Sequence, residues 1–216
     1  QMEQGLSRKI IISQPIDDII AGEVMAHIVD INDYDSYYAS KVVGYEPQPI
    51  EMYINSGGGS ATAGNAIISA MEMSDTPIVT YGVGVVASMA LAIFISGDFR
   101  VGHRFTRFMY HSVAWGADGH VQDHKDGLIE GELIQEMYDS LFLSRTKFTK
   151  ELMGEILREK KNFFFSAKKA KKLGVVDEIM QLPESKDEEM TESEIEEVMV
   201  ALGELQEEVK KQVIEQ

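Results

Sequence analysis

Short β-branched runs alternate along this chain with segments whose apolar residues recur at helical spacing. Lys9 to Ser13 reads Lys-Ile-Ile-Ile-Ser and stops at Gln14-Pro15, the pattern of a short buried strand. From Asp17 to Ile31 the positions Ile20, Val24, Ile28 and Ile31 share one helical face. Asp33 to Tyr45 is polar and tyrosine-rich and is closed by Pro47 and Pro49. Ile50 to Ile54 alternates as a strand that runs into the turn Gly57-Gly58-Gly59. Thr62 to Met73 predicts a helix with Ile67, Ala70 and Met71 facing inward, and Pro77 to Tyr81 another strand. The apolar stretch Val83 to Ser96 is too short to span a membrane and reads as a buried helix, placed over Ala87 to Ser96. Phe105 to Tyr110 predicts a strand that ends at His111.

Ser112 to Gln122 contains Gly116 and Gly119 and reads as a loop. Asp126 to Leu152 carries Leu128, Leu133, Met137, Leu141 and Phe148 in one long helical pattern. Ser166 to Leu173 is a short basic helix stopped by Gly174, and Val175-Val176 leads into a last strand. Strands alternating with helices predict an α/β fold with a largely parallel sheet. Beyond Met180 the character changes. Pro183 to Met190 is a charged linker, and Thr191 with Glu194 forms a capping-box pattern. Ile195, Val198, Leu202, Leu205 and Val209 then mark the seam of a short coiled coil, which packs either on its own domain or against another subunit. The expected organisation is a short segment 1–7, a domain 8–182, and an acidic linker with an amphipathic helical extension 183–216.

Charge narrows the partners. Thirty-six acidic against 20 basic residues give a formal net charge of −16, a field that repels nucleic acid and anionic membrane surfaces. Much of the acid follows Pro183, so the charge describes the tail more than the domain. With no cysteine, disulfides and thiolate metal sites are excluded, which fits a reducing cytoplasm. Neither a secretory leader nor a membrane span is expected. His120 and His124 lie four apart near Asp123 but lack a third ligand pattern, so no metal is expected.

The chemistry concentrates at three places. The glycine turn after Ile54-Asn55-Ser56 lets backbone N–H groups point at a developing oxyanion. Ser88, in Gly84-Val85-Val86-Ala87-Ser88-Met89, opens an apolar helix and is the candidate nucleophile. The N–H of Met89 at that helix start and the turn containing Gly59 would form an oxyanion hole, and losing one such donor costs about 10²–10³ in rate. His111, at a strand end, is the candidate general base. The local pattern is not the Gly-x-Ser-x-Gly elbow of α/β-hydrolases.

Four segments taken in order resemble the proteolytic subunit of the Clp protease. They are Ser56 to Gly59 after Ile-Asn, Gly84 to Met89, Met109 to His111, and the closing Phe165-Ser166-Ala167…Gly174-Val175-Val176-Asp177 block, within a match from about Arg8 to Met180. The resemblance implies a crotonase-like fold of repeated β-β-α units, stacked into heptameric rings that pair as a tetradecamer around a chamber of active sites. It implies a serine endopeptidase with Ser88 as nucleophile, His111 as base and the backbone of Gly59 and Met89 as oxyanion hole, and no cofactor. Peptide or unfolded protein substrate would lie as an added strand along Gly58 and Ser60 and against a protruding handle, about residues 112–152. A Clp-type ATPase or a paralogous subunit would be the partner, since this chain has no Gly-x-x-x-x-Gly-Lys motif of its own.

Three departures from the family pattern matter. Asn162 stands where the family has the triad aspartate, and Glu159 is a charged stand-in only if the loop slips by three residues. Replacing a triad aspartate by asparagine has cost about 10⁴ in a serine protease, so a weak or conditionally active enzyme is expected. Gly57 replaces a usual proline, and Ser112-Val113 follows His111 in place of Gln-Pro, as in a divergent, phage-encoded or specialised branch. The axial loop before the first strand is expected to be short or absent. Two other readings stay open: a catalytically impaired subunit completing a mixed ring, and a crotonase-type acyl-CoA enzyme, against which the Ser88/His111 pair argues.

Overall fold

The computed structural model describes residues 6–114, 116, 119–159 and 162–180. Strands β1 (Lys9–Ile12), β2 (Ile50–Ser56), β3 (Ile78–Ala87) and β4 (Phe99–His103) pair in that order, all parallel. β7 (Glu178–Met180) extends the sheet beside β4, also in parallel. β5 (Arg107–Tyr110) pairs in parallel with the far end of β3, and β6 (Phe163–Ser166) closes antiparallel on β5. Helices α1 (Asp18–Ala39) and α2 (Ala61–Glu72) pack on one another. α3 (Met89–Ile95) is buried at every residue and joins β3 to β4. The predicted α/β class with a largely parallel sheet is what the chain adopts.

β3 belongs to two parts of the sheet at once. Val79 to Gly82 pair with Phe99 to Gly102, while Val85 to Ala87 pair with Arg107 to Met109. Between these sets the register against β2 shifts, from Ile54↔Gly82 to Ser56↔Val86, so two steps along β2 oppose four along β3. Such a bulge bends and twists the strand that carries the extra residues. The bend sits at Gly84, whose φ of +73° a side chain would strain, and whose added Cβ would lie 2.5 Å from Asn55 Oδ1. Asn55 Oδ1 accepts from the N–H of Val85 at 3.1 Å and holds the bent backbone. This bend delivers the end of β3 to the glycine turn that follows β2.

Several boundaries differ from the periodicity. α1 starts at the Asp17 cap, whose Oδ1 accepts from Ile20 N–H at 2.9 Å, but runs on to Ala39. The buried face continues one turn past Ile31 with a carboxylate, Asp35, which Arg8, Tyr45 and Thr76 satisfy. The segment Val83 to Ala87, expected within a helix, is strand, and α3 begins only at Met89. The single long helix expected over Asp126 to Leu152 is two: α4 (Val121–Arg145) and α5 (Lys150–Glu159). Asp123 starts α4 early by accepting from His120 N–H at 2.7 Å. Thr146 ends it, its hydroxyl donating to Phe142 O at 2.6 Å while accepting from Phe148 N–H at 3.1 Å. That break turns Phe148 inward onto Tyr110, Phe142, Phe163 and Phe165. β4 and β6 were not signalled by alternation. The expected linker and helical extension, 183–216, lie outside the described residues.

Candidate active site

The end of β3 places Ser88 in a conformation no other described non-glycine residue adopts: φ 54° and ψ −129°. Such a backbone costs about 1–3 kcal/mol and persists only where its surroundings hold it. Four hydrogen bonds hold this one. Ser88 N–H donates to Met109 O at 2.9 Å, continuing the β3–β5 pairing. Ser88 O accepts from the N–H groups of Leu91 and Ala92 and starts α3. It also accepts from the Tyr138 hydroxyl at 3.0 Å, a contact from α4. Tyr138 is itself stacked on Tyr110, the residue before His111.

His111 Nε2 lies 2.7 Å from Ser88 Oγ. With the ring proton on Nδ1 the hydroxyl donates to Nε2, the alignment a general base needs. Burial of the imidazole disfavours its charged form and holds its pKa below the usual 6.5. Asn162, immediately before β6, is exposed and makes no hydrogen bond to His111. The two side chains expected to touch therefore do so, and the third expected partner does not reach them.

The glycine turn meets Ser88 from the other side. A Cβ added at Gly58, which has φ +96°, would lie 2.6 Å from Ser88 Cβ and 2.9 Å from Met89 N. Gly59 packs instead on the backbone of Ile16, with which it forms a parallel bridge. Ile16 N–H donates to Gly58 O at 3.0 Å and Ser60 N–H to Ile16 O at 2.8 Å, so the turn is stitched to the segment after β1. The N–H of Gly58 is occupied by Ser56 Oγ at 3.1 Å. Met89 supplies the first N–H of α3, a position with no acceptor within the helix. Ser60 caps α2, its hydroxyl accepting from Ala63 N–H at 3.2 Å.

A cavity of about 360 Å³ opens over this arrangement. Gly59, Ser60, Ser88, Met89 and His111 line one side, and α4 lines the other with Gly127, Glu130, Gly131, Ile134 and Tyr138. Val113, two residues after His111, is tied to α4 by Gln135. Its Oε1 accepts from Val113 N–H at 2.7 Å, and its Nε2 donates to Asp139 at 2.7 Å. Asp139 accepts from the Tyr110 hydroxyl at 2.7 Å as well. Val113 stands where the family resemblance places proline, and only a residue with an N–H can make that bond. Tyr138, Gln135 and Asn55 were not singled out by the sequence, since each acts on a backbone group and carries no motif of its own. No described helix is long and apolar enough to cross a membrane, and no described group of three or more His, Asp or Glu residues could hold a metal.

Against known proteins, residues 3–183 match the family model described as Clp protease. Two relatives are named ATP-dependent Clp protease proteolytic subunit 2, from Prochlorococcus marinus strains MIT 9312 and MIT 9313. Each is 29% identical to this chain over 182 residues, covering 83% of it and 84% and 85% of the relatives respectively.

Proposed function

This chain belongs to the Clp protease family, and we propose that it is a serine endopeptidase subunit working through a Ser88–His111 dyad. The observation that carries the reading is the 2.7 Å contact between Ser88 Oγ and His111 Nε2 at a strained turn, beside an N–H of a helix start. Ser88 Oγ attacks the peptide carbonyl while its proton passes to His111 Nε2. The oxyanion is stabilised by the backbone N–H groups of Met89 and Gly59. His111 then gives the proton to the departing amine as the C–N bond breaks. Water, deprotonated by the same imidazole, releases the acyl group and restores Ser88.

The substrate backbone lies along Gly58 to Ser60 as an added strand, under the face of α4. Self-association into heptameric rings, paired as a tetradecamer, would close the chamber. The exposure of Leu128, Ile129, Leu133 and Met137 on α4 supports a covered handle. Access of folded substrates would then depend on a separate ATPase.

Asn162 favours a second reading, an impaired subunit that completes a mixed ring, because its side chain gives His111 no support in this arrangement. A fluorophosphonate distinguishes the two. The peptidase reading expects covalent labelling located at Ser88 by mass spectrometry, and slowed by about 10³ or more in His111→Ala. Equal labelling of other surface serines and indifference to His111→Ala would favour the impaired subunit.

A further inference from the structure

Among the fifteen described residues lining the catalytic cavity, Glu130 is the one carboxylate. Gly127, Glu130, Gly131 and Ile134 recur at i, i+3, i+4 and i+7, so one stripe of α4 faces the cavity. Two of the four positions are glycine, one turn apart, in a helix where glycine costs about 1 kcal/mol relative to alanine. Neither glycine brings a side chain to this strip, a trough in the cavity wall where Gly131 is buried and which Ile134 and the exposed Glu130 line as well. The remaining walls near the nucleophile are largely apolar or neutral: Met89, Val113, Ala114 and Tyr138.

We infer that this trough selects substrates carrying a lysine or arginine side chain beside the scissile bond. This rests on the peptidase reading above and names its substrate class. A long basic side chain suits both features: its methylene stem covers the apolar trough, and its cationic head meets Glu130. Shorter apolar side chains fill only the first part of such a groove and leave the carboxylate unpaired. Acidic side chains meet repulsion from Glu130.

The test compares two fluorogenic peptides that differ only in lysine or leucine before the cleaved bond. Two diphenyl phosphonates with the same pair of side chains report Ser88 acylation-like labelling where turnover is slow. The wild-type protein favours the lysine probe. Glu130→Gln lowers the lysine-to-leucine ratio by about tenfold, equivalent to about 1.4 kcal/mol, and Glu130→Lys inverts it. Glu132→Gln, whose residue lies outside the cavity lining, leaves the ratio unchanged. Equal rates for both probes in the wild type, or a ratio that Glu130→Gln does not move, overturn the inference while the peptidase reading stands. Failure of both phosphonates to label Ser88 overturns the peptidase reading and the inference with it.

Discussion

At the residue scale, His111 works against its own burial. The site removes the imidazole from water, which lowers its pKa below 6.5, and no described carboxylate is hydrogen-bonded to it to restore the charge. A base must be neutral, so the acidic limb of kcat/KM for peptide cleavage is expected below pH 6.5. The same group affects stability in a defined direction. Protonation costs more in the folded protein than in the unfolded chain, so its contribution is full above pH 6.5 and falls as the pH drops below that value. Asn162, exposed and unbonded to His111, is expected to matter little as the structure stands. Asn162→Ala should change kcat by less than about threefold, the scale of a surface substitution of about 0.5 kcal/mol. A loss of tenfold or more would mean that Asn162 closes on the imidazole in the working form. The sequence pointed to Ser88, His111 and the glycine turn because nucleophile, base and glycine are the residue types that the chemistry demands. It aligned Asn162 with an acid position, but alignment places a Cα and leaves the side chain free to face solvent.

At the element scale, the site depends on how β3 is bent. A period-two pattern interrupted by Gly82 and Gly84 carries no sign of a strand that changes partners, and the apolar run into α3 hid its continuation to Ala87. The break between α4 and α5 was hidden for a similar reason: Phe148 fits a helical stripe, yet it is buried by leaving the helix. The glycine turn was legible as a turn beside the nucleophile, while the closeness of Gly58 to Ser88 was not. Gly58→Ala tests that contact. An added methyl group meets Ser88 Cβ, Ala87 O and Met89 N, and a residue at φ +96° is strained besides. Peptide cleavage is expected to fall at least about a hundredfold, as when an oxyanion donor is displaced, with the secondary structure seen by circular dichroism retained. Activity near wild type would show that the turn and Ser88 are not held in register.

Over the whole described molecule, α1 is fastened to the sheet by Asp35, the charged residue of its buried face. Arg8 donates to both carboxylate oxygens, and the hydroxyls of Tyr45 and Thr76 donate as well, so the pKa of Asp35 is lowered to about 2. Bonds from Arg8 are the largest cause. This depressed pKa gives stability that is present above the ordinary value of 3.8 and lost as the pH falls towards about 2. Asp35→Asn leaves Arg8 without its counter-charge and is expected to lower unfolding free energy by roughly 2–4 kcal/mol, read by urea denaturation at neutral pH. Because the cluster is remote in sequence and role from Ser88, kcat should stay within about twofold where the variant is folded. A stability change under about 0.5 kcal/mol would mean that the cluster is a surface ion pair.

The central claim is that Ser88 and His111 form a working nucleophile and base without a carboxylate behind them. The most direct measurement is the initial rate of hydrolysis of a short fluorogenic peptide, at protein concentrations where the chain self-associates, for the wild type and Ser88→Ala. Slow but measurable turnover is expected in the wild type, with a loss of about 10³-fold or more in Ser88→Ala. Identical rates in the two proteins, or no turnover in the assembled wild type, would contradict the claim.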